Sequence, residues 1–183
     1  MFPHQYTNDN YWCRSVHNPL RLRKFFHSNI TVKRIRISFP EANVAARADL
    51  LDEDAPKTCE AIWSILPIKA TALHDIWSGH QIFVFLNSTR VIEYENVPRL
   101  LDVNPGDLFY YYRKPHYFRG APYGKVEASE IGIVYDRDSQ PRGPHGVKAV
   151  NIFGTITEGL SDLSKICENM IEEGKKSIIF EKE

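Results

Sequence analysis

From Lys148 to Met170 the chain reads KAVNIFGTITEGLSDLSKICENM, a strand pattern that passes directly into a helix pattern. Val150, Ile152 and Ile156 stand among residues of high strand propensity. Gly154 interrupts that run where a backbone must bend or approach closely, and Gly159 closes it with a turn. Beyond the turn, Leu160, Leu163, Cys167 and Met170 recur at three- and four-residue spacing, with Ile166 and Ile171 at the edges. They predict a helix with one apolar stripe, which has to lie over an apolar surface. The strand before it predicts what that surface is: the mouth of a β-barrel.

A second stretch has the same construction. In DEDAPKTCEAIWSILP, from Asp52 to Pro67, the acidic residues suit the N-cap and the positive end of a helix dipole, and Pro56 suits its first turn. Cys59, Ile62, Trp63 and Leu66 form its apolar face, and Pro67 stops it. DAPKTCEAIWSILP resembles the first helix of cyclophilins, where Ala/Val-Pro-Lys-Thr leads into an amphipathic helix. VNIFGTITEGLSDLSKI resembles the cyclophilin stretch Val-Val-Phe-Gly-x-Val-x-Glu-Gly-Met-x-x-Val-x-x-Ile. The two matches stand in the family's order. The resemblance covers residues 30 to 183 and is nearest to the short bacterial cyclophilin-like families of unknown function. It implies a mainly β fold: a closed, mostly antiparallel cyclophilin-like barrel capped by two α-helices.

The rest of the chain agrees with such a barrel. Ile35, Ile37 and Phe39 alternate with Arg34, Arg36 and Ser38, and Val44, Ala46, Ala48 and Leu50 repeat the pattern after a turn at Pro40–Asn43. Ala70, Ala72, His74 and Ile76 share one face of the next predicted strand, and Gly79 turns the chain into QIFVFL. That segment is apolar on both faces, which predicts a central strand covered on both sides. A short strand is predicted at Val91–Glu93, a β-turn at Asn104–Asp107, and strands at LFYYY, Glu130–Tyr135 and Ser177–Glu181. DRDSQPRGPHG reads as the loosest stretch in the chain.

At 183 residues, 43% of them hydrophobic, the chain has the material for one domain with a substantial core. Residues 1–29 differ in being poor in aliphatics and rich in aromatics. They predict an arm, which in one reading mediates homo-oligomerisation. The formal charge is zero, which gives no global field to attract nucleic acid, and no apolar run reaches bilayer-spanning length. Three scattered cysteines suit a reducing, cytoplasmic setting. Cys13 and His17 alone make no metal site, and neither a metal nor a cofactor is expected.

Prolyl isomerisation must lower a barrier of about 20 kcal/mol, at about 1.4 kcal/mol for each tenfold gain in rate. Cyclophilins are understood to use an apolar proline pocket and one arginine, which follows a His in a Phe-His-Arg-Ile/Val strand. The matching residues here are Leu73-His74-Asp75-Ile76, so Asp75 stands in the arginine's place. A carboxylate cannot donate what a guanidinium donates. The family's pocket histidine and its Gln-Phe-Phe strand correspond to Val150 and to Glu130-Ile131-Gly132. The proline pocket is therefore expected to be missing.

What remains is a polar and aromatic set that a barrel would gather. His74, Trp77, Ser78, Tyr110, Tyr112, His116, Arg119, Glu130, His145 and Asn151 are the candidate ligand-binding residues. Glu130 carries most weight, because a carboxylate in the apolar strand EIGIVY must face water or be paired. If it lay beside His74, the two would form a general acid/base pair. The main expectation is a protein that binds a small molecule or peptide in an aromatic-lined cleft without isomerase activity. The alternatives are an isomerase with a relocated arginine, for which Arg119 and Arg113 are the candidates, and an enzyme or subunit acting on a small amide or carboxylate metabolite.

Overall fold

The computed structural model describes residues 32–88, 90–92, 95, 103–117, 120, 124–143 and 146–183. All of these belong to the second of two units, Met1–Ile30 and Thr31–Glu183, and the expected arm lies outside the described residues. The elements in chain order are β1 (Arg34–Phe39), β2 (Val44–Leu50), α1 (Pro56–Ile65), β3 (Ile68–His74) and β4 (Gln81–Phe85). Then come β5 (Asp107–Arg113), β6 (Ala128–Val134), β7 (Arg142–Gly143), β8 (Gly146–Val147), β9 (Asn151–Glu158), α2 (Leu160–Glu173) and β10 (Lys176–Lys182). Eight strands close into a barrel in the order β1-β10-β3-β4-β6-β5-β9-β2. Every neighbouring pair in it is antiparallel.

Alternation decides which residues fill the barrel. Ile35, Ile37 and Phe39 of β1 are buried, as are Ala46, Ala48 and Leu50 of β2, and both sets belong to one core with Ile131, Ile133, Ile178 and Phe180. Each large aliphatic buried in this way stabilises the fold by about 1.5–3 kcal/mol. The β1–β2 connection is a 3-10 turn, Pro40–Ala42, ended by Asn43 at φ 51°. On α2, Leu163, Cys167 and Met170 are buried while Ile171 is exposed. Gly159 precedes this helix at φ 78°, where a Cβ would stand 2.6 Å from the carbonyl oxygen of Ala45, so only glycine lets α2 start this close to β2.

Helix α1 buries Thr58, Cys59 and Ile62, but its cap is not the expected one. No side chain near Ala55 caps it, and Asp52 is engaged by Lys33 Nζ at 2.9 Å. Instead the backbone N–H groups of Lys57 and Thr58, with the Thr58 hydroxyl, donate to the Glu95 carboxylate, each at 2.6 Å. A distant carboxylate thus does at the helix N-terminus what the acidic run was expected to do.

Four further expectations change. Strand β3 ends at His74, because the Ser78 N–H donates to the Asp75 carbonyl at 2.8 Å and closes a turn that leaves Ile76 68% exposed. Strand β4 is covered completely on its inner face, where Ile82 and Val84 are core, and unevenly on its outer face, where Gln81 is buried, Phe83 half-buried and Phe85 45% exposed. A closed barrel has one interior, and the outer side of each strand is covered only where a loop or helix crosses it. Gly154, by contrast, marks the close approach expected of it: a Cβ there would lie 3.2 Å from the Asp49 carbonyl oxygen, and the pairing with β5 shifts register beside it, while β9 continues through. The loose stretch after Tyr135 holds the small β7–β8 hairpin, while Val91 and Ile92 form no strand and Glu93 lies outside the described residues.

Two substructures of the wall generate tests. On the outer face a second cluster gathers Phe109, Tyr111, Val134, Val150 and Ile152, and the Phe109 ring lies flat over Gly132. A Cβ on Gly132 would meet Phe109 Cζ at 1.9 Å, so Gly132→Ala should cost about 1–3 kcal/mol in urea unfolding. Unchanged stability would mean that the ring does not depend on that gap. At a barrel end, His74 Nε2 shares a 2.7 Å hydrogen bond with the Tyr135 hydroxyl, and His80 stacks edge-on against the same ring. Burial holds His74 below its ordinary value of 6.5, so it binds a proton less readily folded than unfolded. Its contribution to stability should therefore be present above pH 6.5 and be lost as pH falls from there through the lower folded value. His74→Phe should flatten that part of the stability profile, measured by denaturant unfolding from pH 8 to pH 5, and an unaltered profile would contradict the assignment.

Candidate functional site

The site follows from the order of four strands. On the outer face of β3, β4, β6 and β5, Leu73 pairs with Phe83, Phe83 with Gly132 and Gly132 with Phe109. One step along, Phe85, Glu130 and Tyr111 form a second row. The chain then crosses this wall as the β7–β8 hairpin and the residues after it, enclosing a cavity of about 590 Å³. Phe83, Tyr111 and Glu130 line it from the wall, Val147, Lys148 and Ala149 from the crossing chain, and Ile76, Trp77 and Tyr117 at the rim.

The crossing chain is tied down by backbone and by one hydroxyl. Ser78 Oγ donates to Asp75 Oδ2 at 2.7 Å and accepts the Arg142 N–H at 2.8 Å. The Gln140 N–H reaches the Ser78 carbonyl at 2.9 Å, and the Lys148 N–H reaches that of Pro141 at 2.8 Å. The β3–β4 turn and the hairpin therefore move as one wall of the cavity.

At the bottom of the cavity is a charge pair. Lys148 Nζ donates to Glu130 Oε2 at 2.9 Å, and Glu130 is only 3% exposed. The same ammonium lies 5.0 Å from the Tyr111 ring centre and 5.8 Å from that of Phe83, within cation–π range of both. Removing one partner of so deep a pair costs about 3–5 kcal/mol, because the other charge is left buried. Glu130 is thus both buried and paired, one of the two states open to a carboxylate in this apolar strand. Two more cations line the cavity, Arg113 and Arg142. Arg142 Nε donates to Gln140 Oε1 at 2.7 Å, and Arg113 Nε is buried with no hydrogen-bond partner among the described residues.

Of the residues expected to meet here, the structure brings together Glu130 and Trp77, with Ser78 as the clamp behind them. His74 borders the same cavity, yet its ring bonds to Tyr135 while Glu130 bonds to Lys148, so the two make no acid/base pair. Tyr110 points into the barrel, where its hydroxyl donates to Ser129 Oγ at 2.7 Å and contacts the Arg90 carbonyl. Burial pushes that phenol up from its ordinary value. Tyr112 reaches Glu127 at 3.2 Å, and Asn151 Nδ2 donates to Thr58 Oγ1 at 3.1 Å beside α1. His116 is exposed at φ 51° and does not line the cavity. Arg119 and His145 lie outside the described residues.

The residues that sequence reasoning missed are Lys148, Tyr111, Phe83 and Arg142. A signal existed for Tyr111: in an alternating strand the ring between Tyr110 and Tyr112 must take the opposite face. Lys148 had none, since its partner is eighteen positions away. The described cysteines supply no nucleophile, with Cys59 pushed up to about 12 and Cys167 also raised, both by burial. Among the described residues no three His, Cys, Asp or Glu side chains cluster to hold a metal, and no helix is long and apolar enough to cross a membrane.

The barrel has solved relatives. The structure of McbB in complex with tryptophan matches with a TM-score of 0.58 at 15% identity, covering 80% of this chain and 44% of that one. This chain therefore spans less than half the length of McbB, and the likeness is one of fold. The solution structure of the hypothetical protein AF2241 from Archaeoglobus fulgidus matches at 24% identity with a TM-score of 0.48, over 83% of this chain and 95% of that one. No curated protein matches. The profile of a family described as a protein of unknown function, DUF3830, matches residues 37–181, the whole barrel apart from its outermost residues, and the chain belongs to that family.

Proposed function

We propose that this chain is a cytoplasmic, cyclophilin-like binding protein that takes a small molecule or short peptide into the outer-wall cavity and does not isomerise prolyl bonds. The observation that carries the reading is the cavity itself: a concave space of about 590 Å³ floored by Phe83 and Tyr111, with the Glu130–Lys148 pair at its base. Its size lies within the range of small-ligand sites, and its few polar groups converge among apolar ones, as such sites require. Trp77, 67% exposed, and Tyr117 at the rim offer flat apolar surface that loses little rotamer freedom on binding.

Against isomerisation stands Asp75. It borders the cavity where the cyclophilin resemblance puts the arginine, and its carboxylate is occupied in accepting the Ser78 hydroxyl. Among the described residues, Arg113 and Arg142 are the guanidinium groups on this cavity.

Chemical-shift mapping with a fragment library tests the site. Binding fragments should perturb the amides of Leu73–Trp77, Phe83, Tyr111 and Gly146–Ala149 together. Perturbations confined to other faces of the barrel would overturn the proposal. Exchange spectroscopy on an Ala-Pro peptide, at protein concentrations comparable to the peptide, should show the spontaneous cis–trans rate. Acceleration that disappears in Arg113→Gln or Arg142→Gln would establish an isomerase instead.

A further inference from the structure

Resting on the reading of this cavity as a ligand site, the geometry points to its ligand class: we infer that it selects an anion, a carboxylate carried on an aromatic or apolar body, with Lys148 as the anchoring cation. The argument is one of charge and donors. Among the described residues, two acids, Asp75 and Glu130, and three cations, Arg113, Arg142 and Lys148, line the cavity, so the cations are in excess. Each acid has one oxygen engaged, Asp75 Oδ2 by the Ser78 hydroxyl and Glu130 Oε2 by the Lys148 ammonium.

The cations are less committed. An ammonium carries three donors, and Lys148 directs one of them at Glu130. Its side chain retains 16% exposure, in the cavity it lines. Arg142 uses its Nε on Gln140, and Arg113 has a 3.4 Å contact from Nη2 to the Val126 carbonyl while its Nε finds no partner among the described residues. A guanidinium has five donors in a planar fork that fits a carboxylate, so both arginines keep donors to offer.

The apolar half of the ligand follows from the same walls. Lys148 Nζ sits over the Tyr111 and Phe83 rings, so a carboxylate bonded to it would have its attached carbon skeleton beside those rings. Trp77 and Ile76, both well exposed at the rim, would close over the far end. A highly charged, fully polar anion would leave these surfaces without a partner, which is why the apolar body belongs to the inference.

The test is a matched pair of probes, 3-phenylpropionate and 3-phenylpropionamide, which share a skeleton and differ in charge. Titrations on the full chain followed by amide shifts should place both at the cavity residues, with the carboxylate about tenfold tighter, as a charge-assisted bond replaces a neutral one. The Lys148→Met/Glu130→Gln double variant removes the anchor without stranding a buried charge and should bring the two probes within twofold of each other. If that variant fails to fold, the exposed Arg142→Gln should still lower carboxylate affinity severalfold and leave the amide unchanged. Equal binding of the two probes in the wild-type cavity, or a preference that survives loss of both Lys148 and Arg142, overturns the anion inference and leaves the site standing. Perturbation of the cavity by neither probe, while fragments bind elsewhere on the barrel, overturns both.

Discussion

Closure of the barrel is the constraint on which everything else depends. Once β1 pairs with both β2 and β10, no strand edge remains in the ring, and each of its residues is committed to the inside or the outside. The inside is filled by Ile35, Ile37, Ile82, Ile131, Ile133 and Phe180 with their neighbours, so it is a core and not a container. The cavity therefore lies on the outer wall, where the rows Leu73-Phe83-Gly132-Phe109 and Phe85-Glu130-Tyr111 lie side by side.

Those rows would be ordinary exposed aromatics without the chain that crosses them. The hairpin and Lys148 convert a convex surface into a cavity, and one buried charge pair fixes their position. An isolated carboxylate at Glu130 would be prohibitively costly at its depth, so Lys148 has to be there, and with it the segment from Pro141 to Ala149. Ser78 supports the same geometry from the other side, bridging Asp75 and Arg142. Electrostatics and cavity shape are in this sense one feature.

The same closure provides the surface on which the two helices pack. The two helical units serve the ends of the barrel: α1 is capped by Glu95 and packs Cys59 against the Phe153 carbonyl, and α2 lays Leu163, Cys167 and Met170 on the core. Asp75, Glu130 and Gly132 do not belong to that core. At Gly132 the missing side chain is the space in which the Phe109 ring lies.

Much of the fold was legible in the residues because it rests on local periodicity. The inward faces of β1 and β2, the turn at Asn43, the apolar stripe of α2 and the turn at Gly159 all follow from spacing and from glycine or asparagine backbone freedom. That Glu130 must face water or find a partner was legible for a local reason too, a carboxylate in an apolar strand. What the residues alone could not decide was pairing across distance. The Lys148–Glu130 contact, the capping of α1 by Glu95, the separate partners of His74 and Glu130, and the uneven cover on the outer face of β4 all depend on which strands become neighbours when the ring closes. Periodicity specifies that a strand has two faces. Only closure decides which face becomes core and which distant segment covers the other.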